Sequence, residues 1–187
     1  AKLHDLSASA HPKMRFRFST SNPQDMSISV IKTMSKHENI CNYIHLPVQS
    51  VSNRILKAMN RQHSREDYFK LIDNIKKYLP DCSISHDLIC GFPTETERDH
   101  QDTLSLMQYV KYSFGYMFSY SERSGTSAAR RLKDDIPEKI KKIRLQEVVA
   151  LQQQHSLERS QCYLGQVIEV LIEKTSKKSD KEWAGRN

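Results

Sequence analysis

The chain is poor in residues that break regular structure, with five glycines and six prolines among 187 residues. That scarcity, beside 37% hydrophobic content, fits a globular, soluble class. No apolar run approaches the length of a bilayer crossing and no charged-then-apolar leader opens the chain, so the expected compartment is the cytoplasm and no membrane partner is expected. The four cysteines, Cys41, Cys82, Cys90 and Cys162, lack the short spacings that gather a zinc ion or an iron–sulfur cluster, and read as small hydrophobes. Also missing are a Ser-His-Asp order, a phosphate loop, a paired-carboxylate motif and any internal repeat beyond the alternation of strand and helix.

What is present is positive charge. A formal charge of +7 and a pI near 9.2 point to an anionic partner such as RNA, DNA or a ribosome surface. The chain opens at Ala1 without a methionine and stops at Asn187 within a charged stretch, so it is expected to be a piece of a longer protein.

The organising stretch is Ser83 to Thr96. Ile84, Leu88 and Ile89 alternate with small and β-branched residues, and Gly91-Phe92-Pro93 stops the strand. Thr94 or Thr96 then caps a helix whose first turn carries Glu95, Glu97 and Asp99, favourable against the positive end of its dipole. Upstream, Met14 to Ser19 alternates apolar residues with Arg15 and Arg17, a strand period. Thr20 to Pro23 predicts a helix start, with Met26, Val30, Ile31 and Met34 turned to the core. Cys41 to Pro47 reads as a second strand, Ser52 as a cap, and Ser64 to Asp67 as a capping box before a helix that buries Tyr68, Leu71, Ile72, Ile75 and Leu79. Gly115 to Ser121 is the fourth strand. Pro137 opens a long helix with Ile140, Ile143, Leu145, Val148, Val149 and Leu151 on one face. Gly165 to Glu173 is β-rich with no helix after it, which predicts a second, small β domain, and Ser176 to Lys181 reads as a hairpin tip.

Four strands separated by helices imply right-handed crossovers and a parallel sheet, α/β in class, open or closed. Ligands of such sheets sit at the carboxyl ends of the strands, which makes Asp87, Ile89, Gly91 and Glu95 the first candidates for a binding edge. A carboxylate within an apolar strand is costly to bury unless paired or ligand-bound, so Asp87 either meets a ligand or pairs with Arg17 or His45. His45 itself reads as a hydrogen-bonded core residue. The basic run Arg130, Arg131, Lys133, Lys139, Lys141, Lys142 and Arg144, interleaved with Asp134, Asp135 and Glu138, reads as a solvated helix face, with an RNA contact as the alternative.

Several strings together resemble one family. These are Arg15 to Pro23, His45-Leu-Pro-Val-Gln-Ser50, Arg54 to Arg61, Asp87-Leu-Ile-Cys-Gly-Phe-Pro-Thr-Glu95-Thr, Phe118 to Thr126 and Tyr163 to Leu171. They are similar to the radical S-adenosylmethionine methylthiotransferases. The resemblance implies a partial β/α barrel of which residues 1–161 hold the later strands and a long linking helix, followed at 162–187 by the start of a TRAM-like RNA-binding β domain. It implies S-adenosylmethionine and two 4Fe-4S clusters as cofactors of the full-length protein, with cluster ligands outside this chain. It further implies a tRNA substrate methylthiolated at C2 of an isopentenyl-modified adenosine, and a reductase supplying electrons, with no DNA partner. Carried over by position, Gln49, Ser50, Ser52, Asp87, Ile89, Gly91, Glu95 and Phe118 would meet the cofactor, and Arg17, Asn22, Tyr120 and Arg123 the substrate, with Tyr116 beside them. The alternatives are an enzyme that methylthiolates ribosomal protein S12 and a non-catalytic RNA-binding module on the same scaffold. The chain alone is expected to be inactive.

Overall fold

The computed structural model describes residues 2, 9–10, 14–20 and 22–186. Two compact units divide the chain, residues 1–157 and 158–187. The first is built on four strands, β1 (Phe16–Ser19), β2 (Ile40–His45), β3 (Ser83–Cys90) and β4 (Phe114–Ser119). They pair in that order, all parallel. Strands added on one side only, by right-handed crossovers, keep every helix on one face. That is the wall of a barrel; a doubly wound sheet reverses direction at a switch point. The order therefore excludes the doubly wound arrangement and matches part of a barrel wall, with β1 and β4 as its edges among the described residues.

The helices are α1 (Ile28–Met34), α2 (Asn53–Ala58), α3 (Arg65–Tyr78), α4 (Glu97–Val110), the short α5 (Ser127–Arg131) and α6 (Glu138–Gln161). Two of their starts are full capping boxes. Ser64 and Asp67 exchange side-chain and backbone bonds at α3, and Thr96 and Asp99 do so at α4. Thr96 is thus the cap, while Thr94 sits at φ 70° in the turn before it. The expected helix from Pro23 is interrupted. Asn22 caps only a single 3-10 turn at Pro23–Asp25, and Ser27 caps α1, which begins at Ile28.

On the helix side the core packs Ile44, Leu46, Val48 and Leu88 with Ile31, Ile72, Ile75, Leu106, Met107 and Val148. Each large side chain there is worth about 2 kcal/mol of burial. Two tyrosines lie fully inside it without leaving a hydroxyl unpaired: Tyr112 donates to the Tyr68 hydroxyl at 2.9 Å, and Tyr68 to the Leu46 carbonyl at 3.0 Å.

α6 departs from expectation. The face it buries is Lys141, Arg144, Val148, Gln152 and His155, while Ile143 is exposed. The reason lies in what the helix covers. It runs over the ends of β3 and β4, where backbone groups want partners more than apolar cover. Gln152 donates to the Tyr112 carbonyl at 2.8 Å, and Ser156 to that of Ser113 at 2.9 Å. Two members of the basic run, Lys141 and Arg144, are buried ion-pair partners and neither solvated nor RNA-facing.

The Gln152 side-chain oxygen lies 2.8 Å from His86 Nε2. Because the Gln152 amide nitrogen is the donor to Tyr112, its oxygen accepts from His86, which fixes the neutral Nε2–H tautomer. Gly115 makes room for that ring: a Cβ there would stand 2.2 Å from Nε2. Burial pushes the His86 imidazole down to about 4. A folded-state value below the unfolded one means the native state refuses a proton that the unfolded chain accepts. Stability is then intact above about pH 6.5 and falls by roughly 3 kcal/mol as pH drops from about 6.5 to 4. Urea midpoints across that range should show a flatter acid limb in His86→Gln; an unchanged limb would refute the assignment.

The second unit is an antiparallel hairpin, β5 (Leu171–Thr175) and β6 (Trp183–Arg186). Its tip closes with Ser176 N–H donating to the Glu182 carbonyl at 2.8 Å. The strand expected from Gly165 begins only at Leu171. Leu171, Ile172 and Trp183 stay largely exposed, since two strands cannot bury a face by themselves.

Candidate functional site

The face of the sheet opposite the helices is polar and open. Registered neighbours in a parallel sheet share a side, and the pairs His45 with Ser85, Asp87 with Tyr116 and Ile89 with Phe118 define this one. Ser85 lies at its centre, buried, with two bonds: its hydroxyl is 2.7 Å from the Tyr43 hydroxyl and 2.8 Å from His45 Nδ1. The other nitrogen of His45 is 3.5 Å from the Asp87 carboxylate. Arg17 sits over the Tyr43 ring at 5.8 Å, and Tyr116 meets the His45 ring edge-on at 6.2 Å. Hydrogen bonds thus link Tyr43, Ser85 and His45, and the Asp87 carboxylate stands just beyond the far side of the imidazole. This presents a carboxylate beside three half-exposed aromatics of β4, Phe114, Tyr116 and Phe118.

The carboxyl edge frames this face. The loop after β2 returns to β3, where Gln49 donates its N–H to the Asp87 carbonyl at 2.8 Å and accepts from Ile89 N–H at 3.0 Å. Gln49 does this at φ 63°, an uncommon conformation for a residue with a side chain and one that clusters at functional positions. Gly91 ends β3 at φ 73° and donates to the Glu95 carboxylate at 3.0 Å. Glu95 is buried; Arg144 Nη1 donates to its carboxylate at 2.9 Å and to its carbonyl at 3.0 Å. Burial pushes the Glu95 carboxyl up, and the Gly91 N–H and Arg144 draw it back.

The residues singled out by resemblance occupy different places. Asp87, Ile89, Phe118 and Arg17 lie on the open face, with Gln49 and Gly91 at its edge. Ser50 is buried, and Ser52 caps α2. The Asp99 carboxyl is held at about 2: burial works upward, but hydrogen bonds from Ser52, Thr96 and Arg54 prevail. The Ser52 hydroxyl is therefore engaged in tying the loop after β2 to the start of α4. Glu95 faces Arg144, Asn22 caps its 3-10 turn, and Arg123 lies on an exposed turn. Tyr120 is packed edge-on to Phe92 at 5.1 Å beneath the Lys141 ammonium. Sequence reading missed Ser85 as the centre of these hydrogen bonds and Arg144 as the partner of Glu95. The signal for Arg144 was present, in polar residues at 141, 144, 152 and 155 recurring at helical spacing.

Residues 2–107 match the family profile described as Radical SAM superfamily, more than half of the chain. The chain belongs to the radical SAM superfamily. Over 187 residues it is 69% identical to the tRNA-2-methylthio-N(6)-dimethylallyladenosine synthase of Christiangramia forsetii, and over 186 residues 63% identical to the protein of the same name in Flavobacterium psychrophilum. All of this chain is matched in both, against 39% of each relative, so it spans about two fifths of their length. Coproporphyrinogen III oxidase from Escherichia coli, a radical SAM enzyme, shares the fold with a TM-score of 0.64 at 22% identity, over 82% of this chain and 36% of that one.

Membership in a radical SAM family implies S-adenosylmethionine and an iron–sulfur cluster. The open face suits the former: aromatic rings for an adenine and a carboxylate for hydroxyls or a sulfonium. A cluster does not fit the described residues, among which no three His, Cys, Asp or Glu gather as ligands. The Cys90 thiol, pushed up to about 12 by burial, is an inert core group.

Proposed function

We propose that the protein to which this chain belongs is a radical SAM methylthiotransferase acting on tRNA, adding a methylthio group to C2 of an isopentenyl-modified adenosine. Supporting it are the names of relatives at 69% and 63% identity and, above all, the open sheet face with its positioned carboxylate among exposed rings. S-adenosylmethionine and a 4Fe-4S cluster held outside this chain would supply the radical that takes hydrogen from C2, while a second cluster, also outside it, and a second S-adenosylmethionine would supply the sulfur and the methyl group. A reductase would supply the electrons, in the cytoplasm.

This chain's part is positioning. Ile89 and Phe118 flank the adenine of the cofactor, Gly91 lets it approach the backbone, Gln49 reaches its ribose, and Asp87, oriented by His45, holds its polar end. Ser50, Ser52 and Glu95 act from behind by shaping the two loops. Arg17, Asn22, Tyr120 and Arg123 line the approach of the RNA. A reactive carbon must be kept close to its target and away from water, which rigid strands do better than loops. The second unit, residues 158–187, begins an RNA-binding β domain of the TRAM type.

Two measurements test this. Nucleoside mass spectrometry of tRNA from a deletion strain should lose the 2-methylthio nucleoside; an unchanged pool would eliminate the tRNA assignment. In the full-length protein, Asp87→Ala should weaken S-adenosylmethionine binding about tenfold or more, as loss of a charge-assisted contact does, with little change in melting temperature. The reverse pattern would make Asp87 a structural partner of His45.

A further inference from the structure

The basic run separates into two populations. Lys141 and Arg144 are buried in ion pairs with Asp134, Glu138, Glu95 and Glu97. Residues 121–133 instead carry four exposed cations, Arg123, Arg130, Arg131 and Lys133, against a single acid, Glu122. None of the four takes part in an ion pair among the described residues. The acids that follow are occupied elsewhere: Asp134 by Lys141 at 2.6 Å, and Asp135 by the Thr94 N–H at 2.7 Å.

The segment has a defined backbone. Thr126 donates to the Arg123 carbonyl from its N–H at 3.2 Å and its hydroxyl at 2.8 Å, and its hydroxyl accepts from Ala129 N–H at 3.2 Å. It starts at the carboxyl edge of the sheet, since Tyr120 N–H extends the β3 ladder to the Cys90 carbonyl at 2.8 Å. It therefore flanks the mouth of the candidate site.

We infer that residues 123–133 form a phosphate-binding rim, which grips the RNA backbone beside the nucleotide presented to the open face. The inference rests on the reading of the protein as an RNA-modifying enzyme. Three features favour RNA. Arginine presents a planar fork that matches phosphate oxygens two at a time. The segment exposes no large apolar side chain that could enter a membrane. The hydroxyls of Ser124 and Ser127 are small donors of the kind that contact phosphates. Such contacts carry no sequence information; they set register and strength, leaving selection to the base-facing residues.

The test uses the full-length protein with its clusters assembled and an RNA stem-loop carrying the modified adenosine. Affinity is measured against salt for the wild type, for Arg130→Gln/Arg131→Gln/Lys133→Gln, and for Arg130→Lys/Arg131→Lys. Loss of three phosphate contacts to a single strand should make the slope of log affinity against log salt shallower by about 2, so the advantage of the wild type shrinks roughly twentyfold between about 50 and about 200 mM salt. The lysine variant should keep the wild-type slope, and S-adenosylmethionine affinity should be the same in all three. Equal RNA affinity and equal slope in wild type and glutamine variant would overturn the rim while leaving the methylthiotransferase reading standing. Absence of RNA binding by the wild type would overturn both.

Discussion

Replacing Arg144 by methionine should lower the unfolding free energy by about 3–5 kcal/mol, the usual cost of stranding one member of a buried ion pair. Both partners are nearly inaccessible, with side chains 8% and 5% exposed for Arg144 and Glu95, so water cannot take over the lost role. Methionine keeps most of the volume of the arginine stem, so the loss reads the charge and the two hydrogen bonds to Glu95 rather than a cavity. The pH dependence gives the variant a signature. Burial already raises Glu95 above the ordinary carboxylate range, and without Arg144 it rises further. A raised carboxyl makes the folded state bind its proton more tightly than the unfolded chain does, so its cost is full at neutral pH and relieved as pH falls through the folded value. The gap between wild type and variant in urea denaturation should therefore narrow between about pH 7 and pH 5. A gap below about 1 kcal/mol, or one that does not narrow, would show that Glu95 finds other partners.

This pair also shows where sequence reading stops. The four strands, the Ser64 and Ser52 caps and the stop of β3 at Gly91 were legible because each rests on local chemistry: alternation, capping hydroxyls, a glycine and proline stop. The interrupted start at Pro23 was not, because Asn22 and Ser27 are both competent caps five residues apart, and the 3-10 turn from the first ends at the buried Met26 before the second opens the helix. The face of α6 was misread for a deeper reason. An apolar stripe is the right expectation for a helix on a sheet's flat, but α6 covers strand ends, where Tyr112, Ser113 and Glu95 offer carbonyls. Glutamine, serine and arginine satisfy them, and the one trace of it in the sequence is the helical spacing of the polar residues 141, 144, 152 and 155 in place of an apolar stripe. Likewise the charges at 130–133 and 141–144 look alike in sequence, and only burial tells the paired from the exposed.

Gly91→Ala should cost roughly 2–5 kcal/mol, combining about 1–2 for a side chain in the left-handed region with about 1–3 for overpacking. Gly91 sits at φ 73°, and an added Cβ would stand 2.4 Å from Lys141 Cγ. That contact is not with a free side-chain end. The Lys141 stem is buried and its ammonium is anchored by Asp134 at 2.6 Å and Glu138 at 2.8 Å, so either the helix or the turn must move. The turn is the part that yields, because α6 is held along its length by Arg144 and Gln152. Its shift would carry Ile89 out of the sheet face proposed to hold the cofactor, so on that proposal S-adenosylmethionine affinity should fall along with stability. A double-mutant cycle separates the two causes. Lys141→Ala removes the Cγ and Cδ contacts without touching φ and leaves only the Lys141 Cβ at 3.1 Å, so in the Gly91→Ala/Lys141→Ala background most of the overpacking share should be relieved and the conformational share of about 1–2 kcal/mol should remain. If the two substitutions simply add, Lys141 is not what confines Gly91, and the restraint on this turn lies in the backbone alone.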